Sequence, residues 1–297
     1  MKVNVSNAPV SWGMSYVGQA GAPPWRDVIR QIAEAGYRYT ELGPIGFYPE
    51  DPAQYGAALA ESGLTLVGGH VFEHLHDPRQ RAHCIDVSRR VCRMIAPNGG
   101  KRLVVIDHVT LARGAAAGRP DIAPRLDAGD WKKMMDLITE IATMARDEFG
   151  VTATVHPHAA THIEYRDETD RAMDDLDETL VKLCVDTGHS AYAGVDPVDL
   201  VKTYGGRVKH LHFKDVNPKV RAKVVAEGID FDRAVGMGVF CRLGSGMVDF
   251  RGFRDALDGA NYDGAGTVEQ DVEPNETLDP VPDARGSLAY LKSVGIA

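Results

Sequence analysis

The sequence predicts an α/β protein whose eight β/α units close into a (β/α)8 TIM barrel. Three observations predict it. Short β-branched runs alternate with segments of helical period along the 297 residues, no Gly-rich phosphate turn follows the first run, and the residues able to do chemistry gather at the C-terminal ends of the runs. The strand candidates are VNVS near Val3, then 37–42, 64–71, 102–109, 152–158, 180–188, 207–215 and 264–271. Between them, Pro24 suits the first turn of a helix, Val28, Ile29, Ile32 and Ala33 form one apolar stripe, and Gly36 ends it. Similar stripes run through 53–62, 78–96, 130–149, 168–178, 197–204, 249–260 and 281–293. An open doubly wound sheet is the alternative, but SNAPVSWG after the first strand lacks its phosphate turn.

The prediction is one domain over residues 1–297, with neither an internal repeat nor a low-complexity linker. Segments 111–129 and 217–247 exceed ordinary connections, and both follow a strand on the face where barrel enzymes build their sites. Each is expected either as a lid or as simple packing: a surface loop for the first, an extra helix for the second.

Composition bounds the function. A formal charge of -9 argues against a nucleic-acid surface or an anionic membrane and favours a small neutral substrate. With no apolar run of about 18 residues and no secretory layout at the N-terminus, the expected location is the cytoplasm. The four cysteines, Cys84, Cys92, Cys184 and Cys241, show no CxxC. Cys84 and Cys92 stand about 12 Å apart along a helix, too far for a disulfide, so four reduced thiols are expected.

The chemistry collects at Glu41, His70, Asp107 with His108, His156 with His158, Asp186 with His189, His210 with His212 and Lys214, and Glu269. Residues two apart in a strand share a face, so His156 and His158 project together, as do His210 and His212. A single strand histidine is usually a hydrogen-bonded core residue. Several imidazoles and four carboxylates in one mouth need a cation to neutralise them. One residue from each of strands five to eight gives the ligand set His156, Asp186, His212 and Glu269, a mixed N/O site suited to Mn²⁺ or Co²⁺, with Fe²⁺, Zn²⁺ and Mg²⁺ also admissible.

Lys214 is a candidate for holding a substrate hydroxyl or enolate oxygen, against a surface ion pair with Asp215. Trp12 is a candidate for packing on a sugar ring, against plain core packing, and His70 and Arg242 are further candidates for substrate contact. His162 falls past the strand, in a solvated or supporting position.

VDTGH, HLHFKD and the terminal VEQD resemble the late-strand motifs of the xylose-isomerase-like barrels, a superfamily of sugar isomerases, epimerases, polyol dehydratases and an endonuclease. The resemblance runs through most of the chain. It is closest to the inosose (2-keto-myo-inositol) dehydratases, on AP followed by Trp12, YTELGPIGFYP, HPHAATHIE, VKHLHFKD, GSGMVDF and VEQDVEP. The superfamily's epimerases carry a Glu where strand five here has His156, paired with a Glu at the position of Glu269. That departure counts against a two-glutamate epimerase and is compatible with elimination.

What the resemblance implies is a metal-dependent lyase of inositol catabolism acting on a cyclic polyol ketone. It would remove an α-proton, stabilise the enediolate at the metal and expel the β-hydroxyl as water. His158 is the first candidate for acid/base work, then Glu269 and His189, with Glu41 orienting ring hydroxyls or serving as the acid. A sugar or inosose isomerase or epimerase, and β-elimination on a keto-glycoside, remain alternatives, as does a non-catalytic sugar-binding barrel. The endonuclease branch conflicts with the acidic charge. Glutathione as a cofactor rests on the resemblance alone, and a homodimer or homotetramer on the habit of such barrels.

Overall fold

The computed structural model describes residues 1–14, 16–18, 20–272 and 279–297. The last two residues of the VEQDVEP motif lie outside them. β1 (Lys2–Asn7), β2 (Tyr39–Leu42), β3 (Thr65–Glu73), β4 (Arg102–Asp107), β5 (Thr152–Val155), β6 (Val181–Asp186) and β7 (Val208–Phe213) stand side by side in chain order. β8 (Asp215–Val216) and β9 (Phe240–Cys241) form a separate antiparallel pair, and β10 (Asp263–Val268) closes the barrel between β7 and β1. Every barrel pairing is parallel, so eight C-terminal strand ends meet at one mouth.

The connections carry α1 (Trp25–Glu34), α2 (Pro52–Glu61), α3 (Arg81–Ile95), α4 (Leu111–Gly114), α5 (Ala128–Phe149), α6 (Arg166–Asp175), α7 (Thr187–Ala193), α8 (Pro197–Tyr204), α9 (Pro218–Glu227), α10 (Phe231–Gly236), α11 (Phe250–Gly259) and α12 (Pro280–Ser293). All eight segments of helical period in the sequence are helices. α4 and α7, of four and seven residues, are too short to show a period. Start signals act as the physics requires: α1 begins just after Pro24, and the Asp51 and Asp127 side chains accept backbone N–H groups at the starts of α2 and α5.

Alternation within each strand sorts the core into two parts. Leu103 and Val105 of β4, Leu183 and Val185 of β6, and Leu211 and Phe213 of β7 face outward into the apolar layer under the helices. Their neighbours face the barrel interior, where Val104, Ile106 and Cys184 form a small apolar patch. The rest of that interior is polar, with Glu41, His156, Asp186, His210, His212 and Thr267 all buried. The four cysteines are free, as the spacing predicts.

The two long segments pack beside the mouth. In 111–129, the fully buried Arg113 donates to both oxygens of Glu168 at 2.9 Å, and to Glu164 at 3.4 Å. In 217–247, Val224, Phe231, Ala234 and Phe240 join Ala117, Ala159, Ala160 and Tyr192 in a second apolar cluster. Among the described residues, no helix is long and apolar enough to cross a membrane.

Candidate active site at the barrel mouth

The turn from β6 into α7 sets the centre of the site. Asp186 caps α7, its Oδ1 accepting the N–H groups of Gly188 and His189 at 2.7 Å each. That leaves Oδ2 to face the barrel axis, 3.3 Å from His156 Nε2, 3.8 Å from His212 Nδ1 and 3.9 Å from Lys214 Nζ. Gly188 permits this turn: a Cβ there would stand 2.6 Å from Cβ and Cγ of Lys214.

β7 and the end of β10 supply the opposite side. His212 Nδ1 lies 3.3 Å from Glu269 Oε2, and its Nε2 lies 3.3 Å from Glu41 Oε2. Two ligands each about 2.1 Å from one shared ion stand roughly 3 to 3.5 Å apart. The contacts from His156 to Asp186 and from His212 to Glu269 have that spacing, and one ligand atom from each of Asp186, His212 and Glu269 lies within 4.8 Å of the others. Both nitrogens of His212 and Nδ1 of His156 are buried without a hydrogen-bond partner. Orphaned imidazole nitrogens beside two carboxylates fit a divalent cation. His156 and His212 also approach Cys184, whose thiol burial pushes well above its usual range.

Lys214 is 1 % exposed and does not pair with Asp215. Its Nζ donates to Asp271 Oδ1 at 2.6 Å and reaches His189 Nε2 at 3.0 Å and Glu269 Oε2 at 3.4 Å. Asp215 instead accepts the N–H groups of Val216, Gly244, Gly246 and Val248, pinning the loop that follows β9. Burial alone would lower the Lys214 pKa, but Asp271, Asp186 and Glu269 outweigh it, so the ammonium is held above its ordinary range.

Two histidines lie beside this ammonium, His158 in the loop after β5 and His189 in α7. His158 Nδ1 lies 2.7 Å from the Ala159 carbonyl, which only accepts, so the proton sits on Nδ1 and Nε2 is bare. Its ring centroid is 3.6 Å from that of His189 and 5.6 Å from that of His156. Burial, then the neighbouring His156 and Lys214, hold His158 well below the usual imidazole range. His189 is depressed in the same way, by burial first and then by His158 and Lys214. It meets donors at both nitrogens, Ala159 N–H at 3.3 Å and Lys214 at 3.0 Å. A neutral ring accepts at one only, and the charge-assisted contact to Lys214 is the shorter.

The remaining candidates divide. His70 points into the barrel interior, where burial lowers its pKa against the pull of Glu41 and Glu269. Glu41 lies deeper than expected: it is 0 % exposed, and its Oε2 is taken by His210 Nε2 at 2.9 Å and by the Thr267 hydroxyl. Burial would raise its pKa, but His212 and His210 hold it well below the usual carboxylate range. Trp12 is 2 % exposed, packed in the outer core, with its indole N–H donated to Gln31 of α1, so the structure takes it out of the mouth. Arg242 likewise stands apart on the flank, its side chain 51 % exposed and its Cδ against Gly286 of α12.

The sequence reading missed Asp271, although Glu269 and Asp271 are two apart in an extended run and should share a face. It also missed Phe231 and Phe240 from the long segment, whose rings stand 6.0 and 5.1 Å from that of His189. Nothing in the local pattern of 217–247 marks them.

Comparison with known proteins adds three findings. A family model for the xylose isomerase-like TIM barrel matches residues 29–294. The inosose dehydratase of Geobacillus kaustophilus is 31% identical over 274 residues, covering 90% of this chain and 87% of its own length. Among solved structures, D-allulose 3-epimerase from Methylomonas sp. superposes with a TM-score of 0.73 at 18% identity, covering 99% of this chain and 98% of its own. The zinc-bound IOLI protein does so with 0.74 at 14% identity, over 99% and 98%. At those identities the two structures speak for the fold.

Proposed function

Since this chain belongs to the xylose isomerase-like TIM-barrel family, we propose that its mouth dehydrates a cyclic polyol ketone of the inosose type. Support comes from the inosose dehydratase relative over most of both chains, and from an imidazole at His156 where the superfamily's epimerases carry Glu. The observation that carries the chemistry is a His158 whose Nδ1 is held by the Ala159 carbonyl, leaving Nε2 bare, with its ring 3.6 Å from that of His189, which in turn meets the buried Lys214 ammonium.

His156, Asp186, His212 and Glu269 would hold a divalent ion, Mn²⁺ or Co²⁺ by the mix of two imidazoles and two carboxylates, which supplies Lewis-acid polarisation of the ketone. His158 Nε2 takes the α-proton, breaking the C–H bond as the electron pair moves toward the carbonyl oxygen. Lys214, fixed by Asp271, stabilises the oxyanion without giving up its proton, because three carboxylates keep it charged. The imidazolium at His158 then returns the proton to the departing β-hydroxyl. The C–O bond breaks, water leaves, and the enol tautomerises to a dione. His189 holds Lys214, while Glu41 and His210 position His212 from below. Phe72, Phe231 and Phe240 wall the histidines with apolar rings and keep bulk water from the enediolate.

The test is an ultraviolet progress curve for Mn²⁺- or Co²⁺-loaded protein with 2-keto-myo-inositol. A dione chromophore should grow with enzyme concentration and be absent in His158→Ala. A ketone consumed without a new chromophore refutes the dehydratase reading and points to isomerisation.

A further inference from the structure

Asp107 ends β4, is 3 % exposed, and has no part in the chemistry above. Its two oxygens serve two different loops. Oδ1 accepts the backbone N–H of His76 at 3.2 Å and stands 2.7 Å from His76 Nδ1. Oδ2 does the same for His162, at 3.2 Å and 3.0 Å. Four N–H groups thus fill the four lone-pair positions of the carboxylate. The consequence is a shared tautomer, in which His76 and His162 each carry the proton on Nδ1 and present a bare Nε2.

Carboxylates behind imidazoles in this way orient metal-ligating histidines and raise their basicity. The two rings stand 4.6 Å apart between centroids. His74 lies 5.4 Å from His76, and His108 lies 4.3 Å from His74 with its own Nδ1 on the Val109 carbonyl at 3.0 Å. Four imidazoles therefore cluster at the rim. They are separate from the mouth, because the Phe72 ring stands between His108 at 4.5 Å and His158 at 5.1 Å.

We propose that this rim is a second metal site, binding an imidazole-preferring divalent ion such as Zn²⁺ through Nε2 of His76 and His162, with Asp107 as the carboxylate behind them and water in the open positions. The ion ties the loop after β3 to the loop after β5, the one that carries His158. The arrangement does not depend on what the mouth binds or which reaction it performs.

Metal-depleted protein is equilibrated with Zn²⁺ alone, and bound zinc per chain is measured for the wild type and for His76→Asn/His162→Asn. Each asparagine keeps an N–H for Asp107, so the loops stay tied; circular dichroism verifies the fold. The variant should bind one zinc fewer per chain than the wild type, and an equal number overturns the proposal. A readout on the wild type alone covers a variant that fails to fold: Zn²⁺ should protect His76 and His162 from diethylpyrocarbonate, read by peptide mass, and equal labelling with and without zinc overturns it as well.

Discussion

At the scale of residues, the proposed chemistry turns on which groups hold protons at neutral pH. His158 is neutral because burial removes the water that would stabilise its cation and Lys214 repels a second positive charge. Replacing it by Ala should lower kcat by about 10²- to 10⁴-fold, the usual contribution of a positioned acid/base group, while bound metal per chain stays at the wild-type value. Loss of metal together with rate would instead make His158 a ligand. Lys214→Met keeps the length of the side chain but removes the charge, and should cost about 10²- to 10³-fold in kcat, as loss of one oxyanion donor does. A variant that keeps wild-type kcat would remove Lys214 from the mechanism. The sequence made His156, Asp186, His212 and Glu269 legible because each stands at the end of a strand, and parallel strand ends converge. It did not reveal that Lys214 would choose Asp271 over the adjacent Asp215: that choice depends on three backbone N–H groups, of Gly244, Gly246 and Val248, that a later loop brings to Asp215.

At the scale of elements, two joints hold the mouth in shape. The first is the start of α7, where a methyl group on Gly188 would collide with the base of the Lys214 side chain. Gly188→Ala should lower activity and cost about 1–3 kcal/mol of stability, measured by urea unfolding, and full activity would show that Lys214 need not keep its place. The second joint ties 111–129 to the loop after β5. Arg113 spans Glu164 and Glu168, and Glu164 also accepts from Gly118 at 2.8 Å and Ala160 at 3.0 Å. Burial pushes Glu164 up to about 7 in spite of these donors. Its pKa in the unfolded chain is about 4.3, so between those values the folded state binds the extra proton. Its contribution to stability is therefore complete below about pH 4.3 and is lost as pH rises toward 7, on the order of 3 kcal/mol in all. Glu164→Gln should remove that part of the slope when unfolding is compared at pH 5 and pH 8; an unchanged slope would mean that Glu164 is ionised throughout. This joint was invisible in the sequence. Arg113 and Glu164 are 51 residues apart, and the Gly- and Ala-rich run beside Arg113 carries no period to indicate what it packs on.

At the scale of the whole molecule, a barrel gathers side chains from distant parts of the chain and leaves their charges to be balanced. Asp186, Glu269 and Asp271 face one Lys214, with Glu41 beside His212, and a bound cation would restore the balance. Chelation with EDTA should abolish activity and lower Tm, with both restored by Mn²⁺ or Co²⁺ in a concentration-dependent way, because an ion that binds only the folded state stabilises it by mass action. Activity that survives exhaustive chelation would remove the ion from the chemistry. The barrel itself was legible, since eight β/α alternations in one chain leave little else to build, and the strand ends fell within a few residues of their expected places. Less legible were the excursions beyond the barrel, the β8/β9 ribbon with α9 and α10, whose Phe231 and Phe240 reach the active-site histidines only through tertiary packing. On the proposed chemistry the mouth expels water and does not merely move a proton. The most direct measurement incubates metal-loaded protein with 2-keto-myo-inositol in D₂O and follows the mass of the product. A product lighter by one water is the predicted result, and deuterium incorporated into a ketone that keeps all its hydroxyl groups would contradict it.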